Sequence, residues 1–209
     1  MSTRYLTVAE TAQLIRKALQ PRFEGIKFSV RSSKYSGGAS VHISWTDGPR
    51  KPEVEAVVKG FEGASFDGMN DLKSYQDCWL LPDGTAQLAS RPESYGGSIP
   101  GYVSDSPHPN AELVSFGANF IFCNRHISDF ETKEAEALAL IRKSCRCEGE
   151  PPSDRFGNEW VDNLARRMVH DFAEDETPEQ TFERVILGRQ VDHYQEYLEA
   201  GVMPGTEVS

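Results

Sequence analysis

A chain of 209 residues that is 38 % hydrophobic, with a mean hydropathy of -0.51 and a formal net charge of -10, is long enough to bury its own core as one domain with an appendage or as two small domains. That composition excludes a disordered chain and a membrane protein. The charge is uneven: residues 1–51 carry nine Lys/Arg against three Asp/Glu, and the rest carry 13 against 29, so a basic N-terminal surface and an acidic body can each attract a partner of opposite sign or simply be solvated.

The first helix signal is Thr7-Val-Ala-Glu10, which has capping-box spacing. Val8, Ala12, Ile15, Ala18 and Leu19 then recur at three- and four-residue steps until Pro21 and Gly25 end the stripe. In KFSVRSSKYSGGASVHISWTDG, residues 27–48, apolar and polar residues alternate on both sides of a glycine-centred loop. The alternation predicts an antiparallel hairpin with Phe28, Val30, Val41, Ile43 and Trp45 on the buried face, together with Ile26 ahead of it. Pro52 opens a second helix, with Val54, Val57, Val58 and Phe61 on one side. Residues 5–62 therefore read α-β-β-α.

From Gly63 to Gly117 the texture is rich in Gly, Pro, Ser and Asp, with one clear hairpin over 78–89 turning at Asp83-Gly84. Residues 90–109 are too long and too punctuated for an ordinary connection, so they read as a flap or a mobile segment. Residues 119–123 read as a buried strand, and Phe130 to Lys143 as a helix carrying Ala135, Leu138 and Ile141. After a linker over 147–154, Trp160, Val161, Leu164 and Met168 mark an amphipathic helix. A second capping box, Thr177-Pro178-Glu179-Gln180, opens another with Phe182, Leu187, Val191, Tyr194 and Leu198. The expected fold class is α+β: an N-terminal α-β-β-α unit with an antiparallel sheet, a loop-rich middle and a C-terminal helical hairpin. The expected domains are 1–146 and 154–201. There is no internal repeat and no low-complexity tract. No apolar run reaches the ~18 residues needed to cross a bilayer, and the opening MSTRYLTVAETAQ lacks the apolar core of a secretory signal, so the chain is expected in the cytoplasm, away from membranes, with its four cysteines reduced.

The stretch KFSVRSSKYSGGASVHISWTDGP, followed by residues 54–73 with GluAlaValValLysGlyPheGluGly and the acidic turn after it, resembles the large polyvalent protein-associated domains, type 29. The resemblance covers about residues 5–125. It implies a protein of phages, plasmids or conjugative elements, in a group whose modules are thought to protect or process the incoming element, and it supplies no catalytic residues.

Candidate chemistry is sparse. Cys123-x2-His126 followed by Cys145-x-Cys147 offers thiolates and an imidazole for a tetrahedral metal, but the spacing is poor and Cys123 in a PheIlePheCys run suits a buried thiol; no metal or other cofactor is expected. No G-x-S-x-G, H-E-x-x-H or P-loop motif is present; His170, Asp171 and His193 fall on expected helices, and Ser36 to Ser40 reads as a turn before a phosphate cradle. The polar hairpin face, with Lys27, Ser29, Arg31, Lys34, Tyr35, His42 and Ser44, mixes cations, hydroxyls and an aromatic in the way that grips phosphates or an acidic protein. The acids Asp171, Glu174, Asp175, Glu176, Glu179 and Glu183 around the second capping box can imitate a nucleic-acid backbone, while the helix dipole alone explains Glu179.

Three functions follow as expectations. The first is a non-enzymatic mobile-element protein that binds and inhibits a host anti-phage defence protein or complex, of CRISPR or restriction type, through Asp175, Glu176, Glu179 and Glu183. The second is a nucleic-acid-binding accessory module that uses Lys27, Arg31, Lys34, Tyr35 and His42. The third is a hydrolase or transferase with residues 90–109 as its lid. The C-terminal helices also offer a surface for homodimerisation.

Overall fold

The computed structural model describes residues 3–69, 71–91, 102–144, 157–173 and 176–187. These residues divide into two compact units. The first is built from the chain up to Trp45 together with Lys51–His126, and the second from Thr46–Arg50 together with the chain from Ile127 onward.

In the first unit, strand β1 (Arg4–Leu6) leads into helix α1 (Val8–Leu19). The Thr7 hydroxyl accepts from the Glu10 N–H and the Glu10 carboxylate accepts from the Thr7 N–H at 2.8 Å, so the expected capping box closes. Strands β2 (Ser29–Tyr35) and β3 (Gly38–Thr46) pair antiparallel in a register that sets Val30 opposite Ile43 and Arg31 opposite His42. Val30, Val41, Ile43 and Trp45 are buried and Phe28 packs against them, with its ring 5.5 Å from that of Trp45. Helix α2 (Lys51–Val58) and a 3-10 turn (Lys59–Phe61) follow, with Val54, Val57, Val58 and Phe61 all buried. The α-β-β-α order is therefore present, preceded by one short strand.

The middle of the chain is a succession of short strands: β4 (Ala64–Asp67), β5 (Leu72–Tyr75), β6 (Cys78–Leu80), β7 (Ala86–Leu88), β8 (Ser90–Arg91), β9 (Tyr102–Val103), β10 (Glu112–Phe116) and β11 (Phe120–His126). A four-stranded sheet has the order β1-β10-β6-β7, in which β1 runs parallel to β10; a three-stranded sheet has the order β11-β3-β2. Asn119 meets Ala39, and three residues further on Phe122 meets His42, so β11 ascends alongside β3. The hairpin of β6 and β7 turns where expected, with Gly84 at φ +80° and the Asp83 carboxylate accepting from the Thr85 N–H at 2.9 Å and hydroxyl at 2.7 Å. Helices α1 and α2 share one core with the inner residues of β3 and β11, among them Ile121 and Cys123. The opposite face of the three-stranded sheet carries the polar alternation.

The second unit contains α3 (Phe130–Ser144), α4 (Gly157–Asp171) and α5 (Pro178–Phe182), the last continuing as a π-helical turn (Glu183–Leu187). The Ala137 and Ile141 side chains of helix α3 share a core with Ala165, Met168, Val169, Phe182 and Val185, so α3 groups with the C-terminal helices, whereas the expected first domain ran to residue 146. The buried stripe of α3 also differs from the expected one, since Ala135 is exposed while Leu138 and Leu140 flank the core; Glu134 faces α4 and takes a 2.9 Å bond from Arg166. Thr177 and Gln180 complete the second capping box. The expected continuation of that helix through Val191, Tyr194 and Leu198 lies outside the described residues, as do the linker over 147–154 and Cys145.

Candidate nucleic-acid interface

A strand that buries one face exposes the other, and the register of β11-β3-β2 decides what that exposed face displays. Arg31 lies opposite His42, and His42 stacks on Phe122 with ring centroids 5.1 Å apart and an interplanar angle of 25°. The three residues form one row across three strands, about 10 Å from first to last at the usual strand spacing. All three are exposed, and Phe122 keeps 52 % of its surface in water. The His42 ring is fixed by Ser40, whose Oγ lies 3.0 Å from Nε2 in hydrogen-bond geometry. In nucleophilic sites a third group behind the imidazole orients the base; here an aromatic ring covers the imidazole, which suits a stacking platform.

The positions that share this face on β2, β3 and β11 are serines, Arg31, Tyr35, Gly38, His42, Thr46, Phe120, Phe122, Asn124 and His126. None is a carboxylate, although the chain as a whole is acidic.

The expected hairpin residues are only partly brought together. Arg31 and His42 are cross-strand neighbours, and Ser29 lies opposite Ser44. Tyr35 stands further along the same face, 49 % exposed. Lys34 is corrected: it pairs with Ala39 and has the parity of Val30, so it is exposed on the other side of the hairpin. Lys27 precedes β2 and lines a separate cleft of about 410 Å³ with Arg16, Leu19, Phe23, Gly25 and Phe28. The Arg16 guanidinium at that cleft donates to the Val30 carbonyl. Phe122 was hidden from sequence reasoning because PheIlePheCys reads as one buried run; strict alternation beside the buried Ile121 and Cys123 is the signal that separates it.

The acids of the second unit are differently placed. Glu176 is held by Arg184, whose Nη2 lies 2.6 Å from Oε2, and by a 3.0 Å bond from the Thr181 hydroxyl. The Arg184 hydrogen bond is the main reason its carboxyl lies below the usual range. Glu179 and Glu183 are exposed, and Asp175 lies outside the described residues.

The metal reading fails on strand geometry. Residues three apart on a strand point to opposite faces, so buried Cys123 and exposed His126 on β11 diverge. Burial raises the Cys123 thiol to about 11 and the Cys78 thiol to about 12, as befits small apolar core residues. Among the described residues no group of His, Cys, Asp and Glu is arranged to hold a metal, and no helix is long and apolar enough to cross a membrane. Residues 92–101 of the expected lid lie outside the described residues; β8 and β9 on either side of them pair antiparallel.

The family model of large polyvalent protein associated domain 29 matches residues 6–128, which takes in α1, the three-stranded sheet with its open face, and strands β6, β7 and β10 of the four-stranded sheet. The chain belongs to that family. Membership places it among the proteins of phages and other mobile elements, and its α+β class stands. No curated protein and no solved structure matches the chain.

Proposed function

We propose that this mobile-element protein binds nucleic acid on the open face of the β11-β3-β2 sheet, with the Arg31 guanidinium at a phosphate and the His42–Phe122 stack against a base. The observation that carries the reading is the exposed row of a cation, an imidazole and an aromatic on a face without carboxylates. Flat sheets that display aromatic and cationic side chains hold nucleic acids by stacking and by charge. Fluorescence anisotropy with labelled single-stranded and duplex oligonucleotides at 50 mM and 200 mM salt tests it. Phe122→Ala should weaken binding about 5- to 150-fold, the equivalent of ~1–3 kcal/mol for one stacked base, and Arg31→Glu should lower both the affinity and its salt dependence. Wild-type protein that binds no oligonucleotide at 50 mM salt, or a Phe122→Ala variant that binds as the wild type does, overturns the proposal.

A second reading, inhibition of a host defence complex through the acidic part of the chain, is favoured by the 29 Asp/Glu against 13 Lys/Arg beyond residue 51. Of its four expected contacts Glu176 is engaged by Arg184 and Asp175 lies outside the described residues, so Glu179 and Glu183 carry it. Pull-down from host extract with the wild type and with Glu179→Lys/Glu183→Lys tests it: a basic defence protein captured only by the wild type supports the reading, and equal capture by both rejects it.

A further inference from the structure

The hairpin of β2 and β3 ends beside that of β4 and β5. Pairing in the second hairpin sets Phe66 opposite Lys73 and Ala64 opposite Tyr75, so Phe66, Lys73 and Tyr75 share one face. Lys73 Nζ donates to the Gly37 carbonyl at 2.7 Å and lies 4.8 Å from the centre of the Tyr75 ring, which turns that face toward the tip of the first hairpin. Asn119 joins the parts from below. Its N–H donates to the Ala39 carbonyl at 2.8 Å and its Oδ1 accepts from the Ala39 N–H at 3.0 Å. Gly38 leaves the junction open: a Cβ there would come within 3.0 Å of the Tyr35 ring and 3.2 Å of Asn119 Oδ1.

Asn119 is 6 % exposed, and its Nδ2 is the buried side-chain polar atom with no hydrogen-bond partner among the described residues. The Lys73 ammonium, by hydrogen bonding and then by charge, lowers the Tyr75 phenol below its ordinary pKa. Around this polar centre three rings stand in water: Tyr35 at 49 %, Phe66 at 56 % and Tyr75 at 67 % exposure.

We propose that Tyr35, Phe66 and Tyr75 around Lys73 form a second stacking subsite for the same nucleic acid, and that the chain selects single strands over duplex. The inference rests on the sheet-face reading above. His42 and Gly38 are four residues apart on β3, about 13 Å, which corresponds to roughly four nucleotides at the ~3.4 Å rise of a stacked strand. A single strand can offer base faces at both ends of that path. A duplex keeps its base faces inside its own stack and can offer only its backbone and groove edges. Charge agrees: Lys73 brings an ammonium group to the path, and Asp67, opposite Leu72, lies on the other face of its hairpin.

Labelled oligothymidylates of 3, 6, 9 and 12 nucleotides, titrated by anisotropy, test this. Wild-type affinity should rise at least tenfold between 3 and 9 nucleotides, an unlabelled duplex should compete at least tenfold less well than a 9-mer, and Tyr75→Ala should abolish the rise with length. Phe66→Ala, at a 56 % exposed position that leaves the Lys73–Tyr75 contact intact, should flatten the rise as well and guards against a folding defect in the first variant. Phe122→Ala should weaken binding at every length. Equal affinity for duplex and single strand overturns the proposal, as does an unchanged length dependence in both Tyr75→Ala and Phe66→Ala. A wild type that binds all lengths equally and loses them all in Phe122→Ala overturns the second subsite and leaves the sheet-face reading standing; a wild type that binds none overturns both.

Discussion

Replacing Asn119 with Ala probes the point on which the sheet, the hairpin tip and the proposed second subsite all depend. The substitution removes the Oδ1 acceptor of the Ala39 N–H, a 3.0 Å bond in a buried setting, and leaves that amide dry. An unsatisfied buried amide costs about 1–3 kcal/mol. Part of this is offset, because the same change deletes Nδ2, which is already desolvated without a hydrogen bond; the net loss is therefore about 1–2 kcal/mol. The backbone bond from the Asn119 N–H to the Ala39 carbonyl remains, so the pairing of β11 with β3 should survive. For a unit of this size the loss corresponds to a fall of roughly 4–8 °C in Tm. Urea unfolding followed by tryptophan fluorescence is the assay, since Trp45 and Trp79 are buried in this unit at 2 % and 3 % exposure. Asn119→Asp keeps an acceptor but buries a charge, so at pH 7 it should be at least as destabilised. Wild-type stability in Asn119→Ala would refute the reasoning, because the Ala39 amide would then have another acceptor.

Gly63→Ala should be far more damaging: a Cβ would lie 1.9 Å from the Phe116 carbonyl oxygen and 2.9 Å from its carbon, both backbone atoms, so a loss of at least about 3 kcal/mol is expected as failure to recover folded protein, and a normal thermal transition would contradict the packing. The second unit should lose stability in acid. The folded Glu176 carboxyl titrates below its ordinary value of 4.5 because of Arg184, so its contribution is complete above that value and disappears as the pH falls through the lower, folded-state value. Unfolding measured from pH 7 to pH 3 should show Glu176→Gln less stable than the wild type at neutral pH and converging with it in acid, and a constant difference across that range would count against the ion pair.

Much of the local structure was legible because its causes are local. Thr7 with Glu10, and Thr177 with Gln180, announce helix starts within four residues of sequence, and the alternation around Val30, Val41, Ile43 and Trp45 places them inside whatever covers the sheet. The same alternation was sufficient to place Lys34 with Val30 and to separate Cys123 from His126, since both follow from counting by two along a strand. Both placements are set by residues within a few positions of each other and so lie within reach of the sequence.

Other features exist only once distant segments meet. Strand β1 has three residues and no signature of its own; it is a strand because Arg4, Tyr5 and Leu6 find Val114, Ser115 and Phe116 more than a hundred positions away, and backbone pairing at that separation leaves no periodic trace. Helix α3 has apolar residues on more than one side, and its contact with α4 and α5 decides that Ala137 and Ile141 are buried while Ala135 is not. Phe122 looks like core in PheIlePheCys and becomes surface because helix α2 and the shared core cover the Ile121 side of β11, leaving its ring to His42. Family membership and fold class were therefore carried by motif and composition, whereas the candidate site was made by strand order, because only tertiary pairing aligns side chains from residues 31, 42 and 122 in one row.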